Sequence, residues 1–180
     1  ELSESQVKAL PKDAIDKTRL DGLPARFPFS DPAAVEKLLI DAKAEGKSYG
    51  GRVQIRISNA PAGLGEPVFR KLKSELTMAY MSLGAVAAVE LGDGVEASKA
   101  EGSEYHKTNS GQYGGIRGGI STGEDIRLNC YFKPTSSVMD VAKKGRHDPC
   151  IVPRAIPVLE AMTFIVLADL ALSRRLNKLK

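Results

Sequence analysis

The stretch Ile126-Arg127-Leu128-Asn129-Cys130-Tyr131-Phe132-Lys133-Pro134-Thr135-Ser136-Ser137 carries two messages in twelve residues. Ile126, Leu128, Cys130 and Phe132 alternate with more polar neighbours, the period-two pattern of a strand with one face on a core. That strand runs directly into Lys133-Pro134-Thr135-Ser136-Ser137. A phosphate needs positive charge, hydroxyl donors and free backbone amides. Lys133 offers the charge, the three hydroxyl residues offer donors, and Pro134 stiffens the turn. Pro-Thr-Ser-Ser is also ordinary turn composition, so a capped strand end is the competing reading.

Further elements surround this strand. Asp31-Pro32 predicts a helix start, with Asp31 as cap and Pro32 at the first position, where no N–H is needed. Val35, Leu38, Leu39 and Ala42 form its apolar stripe, and Gly46 is its stop. Val53, Ile55 and Ile57 alternate with Arg52, Gln54 and Arg56 in a strand over 52–58. A Gly- and Pro-rich loop over 59–66 leads to Pro67, which is expected to open a second helix with Val68, Leu72, Leu76 and Ala79 on one face, ending near Gly84. Residues 85–91 read as an apolar strand, Asp93-Gly94 as a turn and 95–115 as loop. A last helix is expected over 153–172, apolar on nearly every side and therefore packed on more than one. The expected fold class is α+β, with a mainly antiparallel sheet layered against helices. We expect one domain over 1–180, with a weakly patterned arm at 1–29 and a basic tail at 173–180.

Two more stretches are dense in chemistry. Gly145-Arg146-His147-Asp148-Pro149-Cys150 puts a fixed cation, an imidazole and a carboxylate side by side. Arg146 can fork onto phosphate or carboxylate. Asp148 can accept a proton; an Arg–Asp pair that only shapes a loop is the alternative. Gly114-Gly115-Ile116-Arg117-Gly118-Gly119 permits close backbone approach to a flat ring or phosphate. It is neither a P-loop nor a dinucleotide fingerprint, because no Lys-Ser/Thr pair follows and no apolar strand feeds it; a bulged turn fits equally well.

Bulk properties narrow the classes. A chain of 180 residues, 42% hydrophobic, can bury one ordinary core. A net charge of +4 suits an anionic ligand and is too mild to imply nucleic acid. Two cysteines make no disulfide framework and fit a reducing cytosol. With two histidines and no ligand spacing, metal binding is not expected, nor is a Ser or Cys nucleophile with a matched base. No signal peptide opens the chain. The longest apolar stretch, 161–172, falls short of the roughly 18 residues of a membrane span.

In this order, the glycine stretch, Lys133–Ser137 and Gly145–Cys150 resemble the C-terminal half of chorismate synthase. Ala60-Pro61-Ala62-Gly63-Leu64-Gly65-Glu66-Pro67-Val68-Phe69, Tyr80-Met81-Ser82-Leu83-Gly84-Ala85-Val86 and Arg154-Ala155-Ile156-Pro157-Val158-Leu159-Glu160-Ala161-Met162 extend the likeness from about 32 to 172. The resemblance implies half of a β-α-β sandwich, with helices between two antiparallel sheets, in a cytoplasmic homotetramer. It implies reduced FMN, a link to NADP, and anti-1,4-elimination of phosphate from 5-enolpyruvylshikimate 3-phosphate to give chorismate in the shikimate pathway. Nucleic acid and membrane are not implied as partners. By the same resemblance, the flavin is contacted by Gly84, Ala85, Gly118, Lys133, Pro134, Thr135, Ser136, Ser137 and Arg146. Arg146 also meets substrate, and Asp148 takes part in flavin protonation. Gly84 stands where the family pattern favours Asn, so a side-chain hydrogen bond is lost there. The family's N-terminal Gly-x-Ser-His-Gly and arginine-rich elements are absent from this chain. The stretches after His106 and between Ser137 and Gly145 are short for the family. A flavin- and phosphate-binding oligomerisation module without turnover is the competing functional reading.

Overall fold

The computed structural model describes residues 32–107, 110–136, 138–139 and 148–176. Ser137, Arg146 and His147, the arm at 1–29 and both family-short stretches fall wholly or partly outside them. The elements run α1 (Pro32–Glu45), β1 (Gly51–Ile57), α2 (Leu72–Met81), β2 (Val86–Leu91), α3 (Gly102–Tyr105), β3 (Ile116–Arg117), β4 (Ile120–Ser121), β5 (Ile126–Phe132) and α4 (Val152–Leu176).

The alternating strand is the centre of the sheet. β5 lies between β1 and β2 and pairs antiparallel with both. Its inward residues Ile126, Leu128, Cys130 and Phe132 are all buried. β1 adds Val53, Ile55 and Ile57 to the same face, in register with Cys130, Leu128 and Ile126. β2 reads as continuously apolar because a bulge interrupts it. Val86 faces Phe132, but Ala88 already faces Tyr131, so Val86 and Val89 both point to the core. The outer face is polar: Tyr131 hydrogen-bonds Glu90, and Arg56 pairs with Asp125.

Two helices cover the inner face. Leu72, Leu76 and Tyr80 of α2 and Val152, Ala155, Leu159 and Leu170 of α4 complete the core. Arg70, just before α2, reaches Asp169 and Ser173, whereas Tyr80 near its end meets Thr163. The two helices therefore run antiparallel. The result is a two-layer α+β unit, as expected.

Several expectations are corrected. α2 begins at Leu72, not at Pro67. Arg70 has φ +54, which breaks the helical run, and Val68 and Phe69 are exposed. The Leu72 amide is satisfied by the Gly119 carbonyl at 2.8 Å, so the hairpin next door sets the helix start. Of the α1 stripe only Ala42 is fully buried; Leu38 is exposed. Residues 95–115 hold more than loop: short 3-10 turns at Gly94–Lys99 and Ser110–Tyr113 flank α3. Gly118 (φ +61) and Gly119 (φ +95) form the two-residue turn of the β3–β4 hairpin. Positive φ at both positions is what such a tight turn demands, and glycine adopts it without strain. α4 runs on to Leu176, long and apolar enough by length and composition to cross a membrane. Here one of its faces is buried on α2 and the sheet, while Phe164, Ile165, Leu172 and Leu176 stay exposed.

Candidate functional site

The end of β5 is where three remote segments meet. The chain leaves β5 at Phe132, and the Lys133 amide donates to the Ala85 carbonyl at 2.9 Å. This bond brings the turn Gly84-Ala85, after α2, beside the start of the Lys133–Ser136 loop. On the other side the loop is crossed by residues 48–51, which lead into β1. Gly50 lies so close that a Cβ there would collide with the Phe132 carbonyl and crowd Lys133 and Pro134. The Ser48 hydroxyl donates to the Thr135 carbonyl at 2.8 Å.

The third segment is Asp148–Arg154, which feeds α4. The Tyr49 amide donates to the Pro149 carbonyl at 2.7 Å, and Tyr49 and Cys150 form a parallel bridge. The Thr135 hydroxyl donates to the Asp148 carbonyl at 2.9 Å. Arg154 Nη1 lies 2.9 Å from Asp148 Oδ2, an ion pair between the carboxylate and the first turn of α4. Lys133, Pro134 and Ser136 are exposed, and Thr135 is half-buried. Beside them opens a cavity of about 490 Å³, walled by Val35 and Leu39 of α1, Tyr49, Arg52, Asp148 and Arg154. The α1 stripe thus faces this cavity and leaves it unfilled. Burial pushes the Cys150 thiol above its ordinary range.

The structure therefore gathers Gly84, Ala85, Lys133, Pro134, Thr135, Ser136 and Asp148 at one end of the sheet. Gly118 is not among them. Its hairpin sits at the N-terminal end of α2, where Lys71 Nζ approaches the Gly118 carbonyl at 3.4 Å. Gly84-Ala85 lies past the other end of that ten-residue helix, about 15 Å along its axis. Gly118 is exposed, with nothing within 4 Å of an added Cβ, so its backbone is open to a ligand. Ser137 and Arg146 lie outside the described residues. Sequence reasoning missed Ser48, Gly50 and Arg154 as partners of this site. Arg154 stands six residues after Asp148 on the first turn of a helix, a legible candidate for the pair.

The chain is similar to known proteins over most of its length. The family model described as chorismate synthase matches residues 18–172. A chorismate synthase of Bdellovibrio bacteriovorus is 58% identical over 155 residues, 86% of this chain and 46% of that protein. One from Christiangramia forsetii is 39% identical over 186 aligned residues, 92% of this chain and 52% of that protein. A solved structure described as a crystal structure of chorismate synthase superposes with a TM-score of 0.69 at 32% identity, covering 83% of this chain and 45% of that one. The chain spans about half the length of the curated relatives it matches. With a family match over most of its length and the fold of a solved member, this chain belongs to the chorismate synthase family.

Proposed function

We propose that this chain provides the flavin-phosphate side of a chorismate synthase active site, and with it the carboxylate that handles a proton during turnover. The observation that carries this reading is the meeting of an exposed Lys133 and Ser136 with Asp148 across the Thr135 hydrogen bond. The donor set fits the phosphate of FMN: an ammonium, a free hydroxyl and the amides of a loop leaving a strand. The open backbone at Gly84 and at Gly118 suits an elongated ligand lying along α2, with Ala85 and Pro134 as its neighbours. Arg146 is assigned to flavin and substrate on the family likeness alone, as is Ser137 to the flavin.

The reaction is anti-1,4-elimination of phosphate from 5-enolpyruvylshikimate 3-phosphate, giving chorismate in the shikimate pathway. Reduced FMN, when bound, supplies transient electron density to the bond that breaks. Lys133 and Ser136 orient the cofactor by its phosphate, and Asp148 accepts a proton at its carboxylate. Arg146 and its neighbours stabilise the departing anion. We read residues 1–180 as one domain of a cytoplasmic homotetramer, with NADP linked to flavin reduction and with neither nucleic acid nor membrane as partner. The exposed apolar side chains of α4 give the tetramer a surface to use.

A second reading has its own support. A flavin-binding module without turnover fits a chain that spans about half the length of its curated relatives. Titration of the 180-residue chain with FMN, followed by anaerobic assay of phosphate release with reduced FMN, with and without the family's N-terminal half, separates the two. Binding with turnover supports the enzyme. Binding without turnover selects the module, and no binding rejects both.

A further inference from the structure

We infer that the Thr135 hydroxyl is a brace on Asp148 and not a donor to a ligand phosphate. A threonine hydroxyl has one proton to give. In Thr135 that proton lies on the Asp148 main-chain carbonyl, at 2.9 Å. The side chain is half-buried and β-branched, so its rotamer is restricted. Only lone pairs remain on its oxygen, and these repel an anion. Among the described residues, the phosphate donors on this loop are therefore Lys133, Ser136 and backbone amides.

The brace has a second stage. Ser48, 87 residues away in sequence, gives its hydroxyl proton to the Thr135 carbonyl. Ser48, Thr135 and Asp148 thus form one hydrogen-bonded series across three segments. Asp148 is held at both ends, its carbonyl by Thr135 and its carboxylate by Arg154. Ser48, Thr135 and Arg154 are positioning residues for Asp148. A ligand that engages the loop at Lys133 and Ser136 acts on the position of the carboxylate through Thr135. This coupling rests on the reading of the loop as a phosphate site; the brace itself does not.

The test uses the 180-residue chain with FMN as probe and has two arms. The first is calorimetric affinity for FMN in Lys133→Ala and Thr135→Val. The second is amide exchange at Tyr49, whose N–H donates to the Pro149 carbonyl next to Asp148. Lys133→Ala is expected to weaken FMN at least about tenfold, the loss of one charge-assisted bond. Thr135→Val is expected to weaken it less than about threefold, well under what loss of a charged bond causes, while Tyr49 exchange speeds up by about tenfold, as local opening becomes easier. Thr135→Ser, which keeps the hydroxyl, restores slow exchange. If Thr135→Val weakens FMN as much as Lys133→Ala and leaves Tyr49 exchange at the wild-type rate, the hydroxyl is a ligand donor and the brace is overturned. If the chain binds no FMN, the functional reading fails, and the exchange arm alone decides the brace: unchanged Tyr49 exchange in Thr135→Val sinks it.

Discussion

The phenol of Tyr80 and the hydroxyl of Thr163 meet at 2.7 Å between α2 and α4, both fully inside the core. Thr163 already gives its proton to the Leu159 carbonyl at 2.6 Å, so Tyr80 is the donor across the helix pair. Tyr80→Phe keeps the ring and removes only that proton. A loss of about 1 kcal/mol is expected, the net worth of one such bond. Urea denaturation would read it as a lower midpoint at constant slope.

The same burial makes the fold sensitive to alkali. Desolvation pushes the Tyr80 phenol up to about 12 and the Cys130 thiol up to about 11. Both groups hold their protons longer folded than unfolded. Below about pH 8 both groups stay protonated in either state, and their contribution to stability is complete. As pH rises through the ordinary thiol and phenol values, the unfolded chain releases protons first and gains stability relative to the fold. Stability is expected to fall between about pH 8 and 12, at up to about 1.4 kcal/mol per pH unit per group. Cys130→Ala should flatten the lower part of this decline. A denaturation midpoint that stays level from pH 8 to 11 would contradict the account.

Gly50 is constrained by its neighbours and not by its φ. An added Cβ would run into the Phe132 carbonyl, which is main chain and cannot turn away. Gly50→Ala is expected to cost about 3 kcal/mol, in the range of overpacking changes. It should also loosen the Lys133–Ser136 loop, seen as faster exchange of the Lys133 amide. Gly84→Ala is the control, because nothing lies within 4 Å of a Cβ there.

Asp148→Asn preserves shape and, on the proposed reading, removes the proton acceptor. In the assembled enzyme, turnover is expected to fall by roughly 10²–10⁴, the usual effect of losing a general acid–base group. Single-turnover absorbance of reduced flavin with saturating substrate measures it. Wild-type turnover with normal binding would leave Asp148 as a loop brace only.

The unpaired face of α4 predicts association. Phe164, Ile165, Leu172 and Leu176 are exposed along one helix. Contiguous apolar surface of this kind drives contact between copies. Phe164→Lys with Ile165→Lys is expected to lower the mass seen by light scattering and leave the thermal midpoint within a few degrees. An already monomeric wild-type chain would argue against this use of the face.

The helices and strands were legible where local pattern and tertiary contact agree. β5 was readable because every inward residue is apolar and every outward one tolerates water. β2 was readable as a strand but not as a bulged one, since the extra residue is apparent only against its partner. The start of α2 was misread because Pro67 is a good helix opener locally. A carbonyl from Gly119, far away in sequence, and the positive φ of Arg70 override that preference.

The order of residues by itself determined the antiparallel α+β character, the side-chain types of the Lys133 loop and the family likeness. These depend on side-chain type and short-range spacing, which a sequence states directly. Only the tertiary structure decided that Ser48, Thr135 and Asp148 share one hydrogen-bonded series, that Arg154 holds the carboxylate, and that Gly118 lies a helix length away from Lys133. Such relationships are set by where packed layers bring distant segments together. A hydroxyl's single proton goes to whichever acceptor that packing puts within reach, and nothing in its local sequence names the partner.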